Sequence, residues 1–203
     1  MSLDFVLALD ADVGPYEHPD FAKLADRVAA ARRAGRPVVL MMGAHVIKQG
    51  LSRFVIDLIR RGCVSAVACN GACAIHDYEL ALAGATSEPV ARYIREGRFG
   101  LWAETGELNE IVRAGNARGL GFGEAVGEAV AARGLPHRDV SIFAAAHEAG
   151  VPVTVHVGIG YDIVHEHPSF DAAATGEASY RDFLIIAAVM ERLEGGAVLC
   201  FGS

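Results

Sequence analysis

The sequence predicts an α/β fold, with a Rossmann-like, mostly parallel sheet and helices on both faces. Three observations predict it. Four apolar runs, Pro37 to Met42, Val64 to Cys69, Val151 to Val155 and Ala197 to Phe201, are continuous rather than alternating. Continuous runs belong to strands buried on both faces, as in parallel sheets. The intervening stretches repeat apolar residues every three or four positions, the period of a helix packed by one side. Glycine follows most of these units, so the chain reads as strand, turn, helix, repeated.

In order, Asp4 to Leu9 is apolar enough for a short strand. Asp20 then caps a predicted helix over about 21–34, with Phe21, Leu24, Ala25 and Val28 as its buried stripe and Gly35 as its stop. After the strand ending at Met42, Gly43 opens a helix running to Arg61, with Leu51, Phe54, Val55, Leu58 and Ile59 inward. Gly62 ends it and the second strand follows. Asn70-Gly71 turns the chain into a helix from about Ala72. Residues 84–139 read as mostly helical with glycine breaks, and Ser141 to Ala149 as another helix. Ser179 to Asp182 reads as a helix opening, with Phe183, Ile186, Ala187, Met190 and Leu193 facing inward, and Gly195-Gly196 stops it before the last strand.

The length, 203 residues, suits a single domain over 1–203. The sequence ends at the carboxyl end of a strand, where the ligand crevice of an open α/β sheet lies, so a further segment or another chain is expected to complete that edge. The net charge is −7, and the arginine pairs stand at predicted helix ends, which argues against a nucleic-acid surface. No signal peptide or membrane-length apolar run appears. With four cysteines, Cys63, Cys69, Cys73 and Cys200, in neither redox nor zinc spacing, a reducing, cytoplasmic setting with free thiols is expected. No nucleophile elbow or Walker loop is present.

Three polar turns follow the first three main strands, Gly43 to Gly50, Cys69 to Asp77 and His156 to Pro168. In a parallel sheet they converge on one edge, where small residues and backbone N–H groups suit a dinucleotide phosphate. Glycine there is also ordinary turn chemistry. Gly119-x-Gly121-x-Gly123 follows a helical stretch and is read as a loop and tightly packed helix start. His76 and Asp77 form a possible acid/base pair, or Asp77 only caps while His76 bonds a carbonyl. Lys48 either meets a phosphate or is a solvated lysine. Asp162, His165 and His167 offer metal-ligand types without a fixed geometry.

Gly43 to Ile47, Ile56 to Gly62, Val64 to Val67, Asn70-Gly71-Ala72 and His76-Asp77, with Ser141 to Ala146 further on, resemble deoxyhypusine synthase, closest to its bacterial deoxyhypusine synthase-like branch, over about residues 35 to 203. The resemblance implies a Rossmann-like homotetramer that binds NAD and acts on a polyamine or other small amine. It places Gly43, Ala44, His45, Lys48, Asn70, Gly71 and Ala72 against NAD. It gives His76, Asp77, Asp162 and His167 the catalytic positions, with His76 where that family has a glutamate. The family's lysine nucleophile has no counterpart, because neither Lys23 nor Lys48 stands at its position. Two alternatives stand beside this reading: a degenerate oligomeric binding module, and a metal-dependent enzyme using His165, His167 and Asp162. No nucleic-acid or membrane partner is expected.

Overall fold

The computed structural model describes residues 1–202. Four strands form one wholly parallel sheet: β1 (Val38–Met42), β2 (Ala66–Asn70), β3 (Val153–His156) and β4 (Ala197–Phe201), in the order β3-β2-β1-β4. Val39 pairs with Ala66 and with Val198, and Asn70 with His156, so all four carboxyl ends reach the same edge. The α/β class and parallel sheet expected from the continuous apolar runs are therefore present.

Nine α-helices surround the sheet among the described residues: α1 (Phe21–Arg33), α2 (His45–Lys48), α3 (Ser52–Arg60), α4 (Gly71–Ala83), α5 (Val90–Glu96), α6 (Ala103–Ala117), α7 (Phe122–Arg133), α8 (Ile142–Glu148) and α9 (Ala172–Met190). The larger core lies on one face, where Leu40, Val67 and Val155 meet Val55, Tyr78, Val126 and Phe143. A fully buried leucine such as Leu40 makes this layer costly to disturb; truncation to alanine removes about 2–5 kcal/mol. The other face is thinner. Ile186 and Val189 of α9 cover Val39, Ala66 and Ala68 there, while Met41 and Val198 remain 39% and 41% exposed.

The structure corrects several local expectations. Asp4 to Leu9 is not a strand: Leu3–Phe5 is a 3-10 turn, and only Val6 of the stretch is buried, so a single apolar contact replaces an alternating face. Helix α1 forms where expected, but Phe21 and Leu24 are exposed and only Ala31 is buried. It reaches β1 and β4 without laying its whole stripe on them. The single helix expected up to Arg61 is two, α2 and α3. Gly50 breaks it at φ +78°, and the Phe5 carbonyl lies so near that a methyl group on Gly50 would come within 1.9 Å of it. Helix α9 begins seven residues before Ser179, capped by the Asp171 side chain accepting from Ala174 N at 2.9 Å. Phe183, expected inward, is exposed. Of the cysteines, Cys69 and Cys73 are buried free thiols, Cys63 is half-buried and Cys200 is exposed. No helix among the described residues is long and apolar enough to cross a membrane.

Candidate functional site

The sheet order fixes where a ligand crevice opens. The chain steps from β1 outward to β2 and β3, then returns across α9 to β4 on the other side of β1. Neighbouring connections thus diverge between β1 and β4, the switch point at which open α/β sheets hold their ligands. A crevice of about 360 Å³ runs along the carboxyl ends of the four strands and takes in this point. Met41, Met42 and Gly43 line it from β1; Ala68, Cys69 and Asn70 from β2; His156 from β3; Cys200 and Gly202 from β4. No carboxylate is among these side chains. The volume falls within the range of small-ligand sites. A second cavity of about 320 Å³, beside Glu124, His147 and Gly150, adjoins the amino end of β3 and lies away from this edge.

Each strand end is held by local chemistry. Gly43 N–H donates to the Phe201 carbonyl at 3.2 Å, which extends the β1–β4 ladder by one bond. Asn70 has extended backbone and caps α4, its side-chain oxygen accepting from Cys73 N at 3.3 Å. The Cys73 thiol, on α4, lies within hydrogen-bond reach of both Asn70 Oδ1 and the Met42 carbonyl, and its one proton serves either the end of β2 or that of β1. His156 Nε2 lies 3.0 Å from Thr154 Oγ1, and the Thr154 hydroxyl donates to the Val67 carbonyl. His156 Nε2–H is therefore the donor in that pair, leaving Nδ1 as an acceptor. Burial lowers the His156 pKa, which keeps it neutral at pH 7.

The structure divides the predicted site residues. Gly43 and Asn70 line the crevice, and His45 stands next to Gly202 at its rim. Lys48, Ala72 and His76 instead line a separate cavity of about 200 Å³, together with Glu79, Ser87 and Glu88. Its polar core is closed. The Thr86 hydroxyl donates to Glu79 Oε2 at 2.5 Å and Thr105 donates to Glu79 Oε1 at 2.9 Å. His76 Nδ1 meets Thr86 Oγ1 at 2.6 Å. Because the single hydroxyl proton of Thr86 goes to Glu79, His76 Nδ1–H is the donor. Burial, with Lys48 and His45 nearby, lowers the His76 pKa to about 4.

His76 and Asp77 bond to different partners and not to one another; consecutive residues of a helix face different ways. Asp77 is 1% exposed and accepts from Ser141 Oγ at 2.5 Å and from Ile142 N at 2.7 Å, fastening α4 to the start of α8. Burial pushes its pKa up to about 7 against the pull of those two bonds.

The third turn is equally self-contained. His165 Nδ1 accepts from Gly160 N and Asp162 N, both at 3.1 Å. The Asp162 side chain accepts in return from the backbone of His165, around the 3-10 turn Ile163–Glu166. His167 Nδ1 pairs with Ser169, and its ring packs on Gly106, where a methyl group would come within 2.4 Å of it. Among the described residues no group of three or more His, Cys, Asp or Glu side chains could hold a metal ion. Met41 and Cys200 carried no site role in the sequence, and His156 only its place in the third turn. Only the strand register, which sets Asn70 beside His156 and Met41 beside Cys200, brings them to one crevice.

A family model of the Rossmann-fold C-terminal domain of ArgZ-like arginine dihydrolases matches residues 22–142. Among solved structures, the apo form of ArgZ, an arginine dihydrolase from the ornithine–ammonia cycle in cyanobacteria, is similar at TM-score 0.57 and 19% identity. That likeness covers 94% of this chain and 24% of that one, so this chain spans about a quarter of the ArgZ length. A conserved putative LOR/SDH protein from Methanococcus maripaludis S2 gives a TM-score of 0.48 at 16% identity, over 94% of this chain and 66% of that one. No curated protein matches the sequence.

The family match overturns the resemblance to deoxyhypusine synthase. With it falls the polyamine and small-amine chemistry, and the NAD contacts mapped from that family lose the resemblance that implied them. The residues that carried the resemblance, a glycine after a buried strand and an Asn-Gly helix start, meet requirements common to Rossmann sheets. The degenerate binding module and the metal-dependent enzyme gain no support either; the histidines of the latter are engaged with Gly160, Asp162 and Ser169.

Proposed function

Because the chain belongs to the family of Rossmann-fold C-terminal domains of ArgZ-like arginine dihydrolases, we propose that it is the dinucleotide-binding part of an enzyme of arginine metabolism. ArgZ is an arginine dihydrolase, and its chain is about four times as long as this one. One observation carries the reading: the crevice lies at the β1/β4 switch point, lined by strand ends and free of carboxylates.

The residues fit such a ligand. Gly43 and Gly202 bring backbone to the crevice without side-chain bulk, which a pyrophosphate needs. Met41 and Ala68 offer an apolar wall for a ring. His156 Nδ1 supplies an acceptor to orient an amide or hydroxyl. A bound nicotinamide would supply hydride-accepting chemistry; this chain's residues bind and orient it and limit its contact with water.

Calorimetric titration of the protein with NAD tests the proposal, beside a Met41→Glu variant that puts a negative charge into the crevice from an exposed strand position. Micromolar binding to the parent, weakened at least about tenfold in the variant, is expected. No binding at millimolar NAD, or equal binding by both proteins, would refute it.

A further inference from the structure

The sheet edge opposite the crevice carries a groove of about 440 Å³. Pro37, Ser65 and Pro152, the residues just before β1, β2 and β3, form its floor. Three arginines line it: Arg32 from the last turn of α1, Arg36 from the turn into β1, and Arg192 just beyond α9. No carboxylate lines it.

These arginines lack the partners that acidic residues supply elsewhere. The chain has 25 acidic against 18 basic residues, and nine other arginines stand in ion pairs. Among the described residues, Arg32, Arg36 and Arg192 are in none. Two of them cross to neighbouring elements over glycines. A methyl group on Gly62, at the end of α3, would lie 3.8 Å from Arg32 Nε. One on Gly195, between α9 and β4, would lie 3.6 Å from Arg36 Cγ.

Helices α1, α3, α8 and α9 all end at this edge, and their partial negative charge favours cations there. The donors of the backbone are nevertheless spent. Gly35, Gly62, Gly150 and Arg192 N–H groups donate to carbonyls of the preceding helix turns. The Ser65 hydroxyl accepts from Val38 N and donates to the Val38 carbonyl. The guanidinium N–H groups are the donors left to face the groove.

We infer that this groove binds a polyvalent oxyanion, a small metabolite carrying phosphate or several carboxylate groups. Each guanidinium presents a rigid fork that meets either oxyanion with two parallel bonds. Three cations brought together without a counterion repel one another, and a multiply charged ligand removes that repulsion where a monovalent one leaves most of it. The volume falls within the range of small-ligand sites. An extended polyanion fits poorly, because the chain as a whole has a net charge of −7. None of the groove residues lines the crevice at the other edge, so the inference stands apart from the dinucleotide reading.

The test is calorimetric titration with pyrophosphate and with citrate at about 0.15 M salt, where diffuse attraction is screened. The proteins are the parent, Arg36→Gln, Arg192→Gln and, as a control, Arg95→Gln, which removes an exposed arginine of α5 that is in no ion pair among the described residues; circular dichroism follows folding. At least one anion should bind the parent with Kd below about 1 mM, and each groove variant should weaken it about tenfold, the control less than about twofold. Tighter pyrophosphate assigns the site to phosphate, tighter citrate to carboxylates. A second measurement needs no variant: the bound anion should protect Arg32, Arg36 and Arg192, but not Arg95, from phenylglyoxal, read by mass spectrometry. Binding of neither anion below about 10 mM, a loss in Arg95→Gln equal to that in the groove variants, or unprotected groove arginines would overturn the site.

Discussion

The carboxylate of Asp182, on α9, accepts from the backbone N–H of Val155, on β3, at 2.7 Å. Strand β3 ends the sheet, so its outer edge has no strand partner. An open edge exposes unpaired N–H and C=O groups and invites association. Helix α9 covers it with side chains. Asp182 Oδ2 also takes Gly123 N at 2.9 Å, while Ser179, one turn earlier, donates to the Val155 carbonyl and accepts from Val157 N. One buried carboxylate thus joins α9, β3 and the start of α7.

Asp182→Ala should destabilise the protein by about 2–4 kcal/mol, since it strands two buried backbone donors. Asp182→Asn keeps an acceptor and should cost under about 1 kcal/mol. Urea denaturation of the three proteins measures both; equal losses would show that an amide cannot replace the carboxylate as acceptor for the two N–H groups.

Burial pushes the pKa of both Asp77 and Asp182 up to about 7. Unfolded, each titrates near the ordinary aspartate value of about 4. The folded state therefore binds more protons between about pH 4 and 7, and stability falls as pH rises through that window. His76, lowered to about 4, acts in the opposite sense between about pH 4 and 6.5, as do His156 and His165, which burial also lowers; Asp162 and Glu88, which burial raises, act with Asp77 and Asp182. The melting temperature should fall between pH 5 and 8, and Asp77→Asn should flatten the curve. A melting temperature that rises across this range would contradict the raised pKa of the two carboxylates.

Gly123 lies in the first turn of α7, and a methyl group on it would come within 1.9 Å of the Val153 carbonyl. The obstacle is backbone of β3, which cannot rotate away. Gly123→Ala should cost about 3 kcal/mol, whereas Gly176→Ala, with open space around it in α9, should stabilise by about 0.5–1 kcal/mol. Thermal unfolding distinguishes the two.

Thr86 is 3% exposed and stands between His76 and Glu79. Thr86→Ala removes the hydroxyl from both and should destabilise by about 1–3 kcal/mol. Histidine NMR titration of the variant should show the His76 ring released toward Glu79, with its pKa raised from about 4. An unmoved titration would mean that burial alone sets it.

The strands β1 and β4, the stops at Gly35, Gly62 and Gly195, and the α/β class were legible because they depend on local apolar content and turn chemistry. Gly121 and Gly123 were also readable as a tightly packed helix start, which is how they lie against Asp182 and β3. The failures share a cause. Phe21 and Leu24 have helical spacing, yet periodicity does not reveal that the sheet extends only under the last turn of α1. Ser179 and Asp182 have the composition of a helix cap, but they lie inside α9 because an edge strand needs their polar atoms.

The sequence by itself determined the alternation of strands and helices and the collection of polar turns at the strand ends, because hydrophobic period and glycine placement act over a few neighbouring residues. The tertiary structure decided the rest. The order β3-β2-β1-β4 set the crevice along the four strand ends, put His156 and Cys200 into it, and sent Lys48 and His76 to another cavity. It also carried Asp162 back to Gly71. These pairings span many residues and follow from which strands lie side by side, a choice made by burial of the whole sheet and written in no single segment.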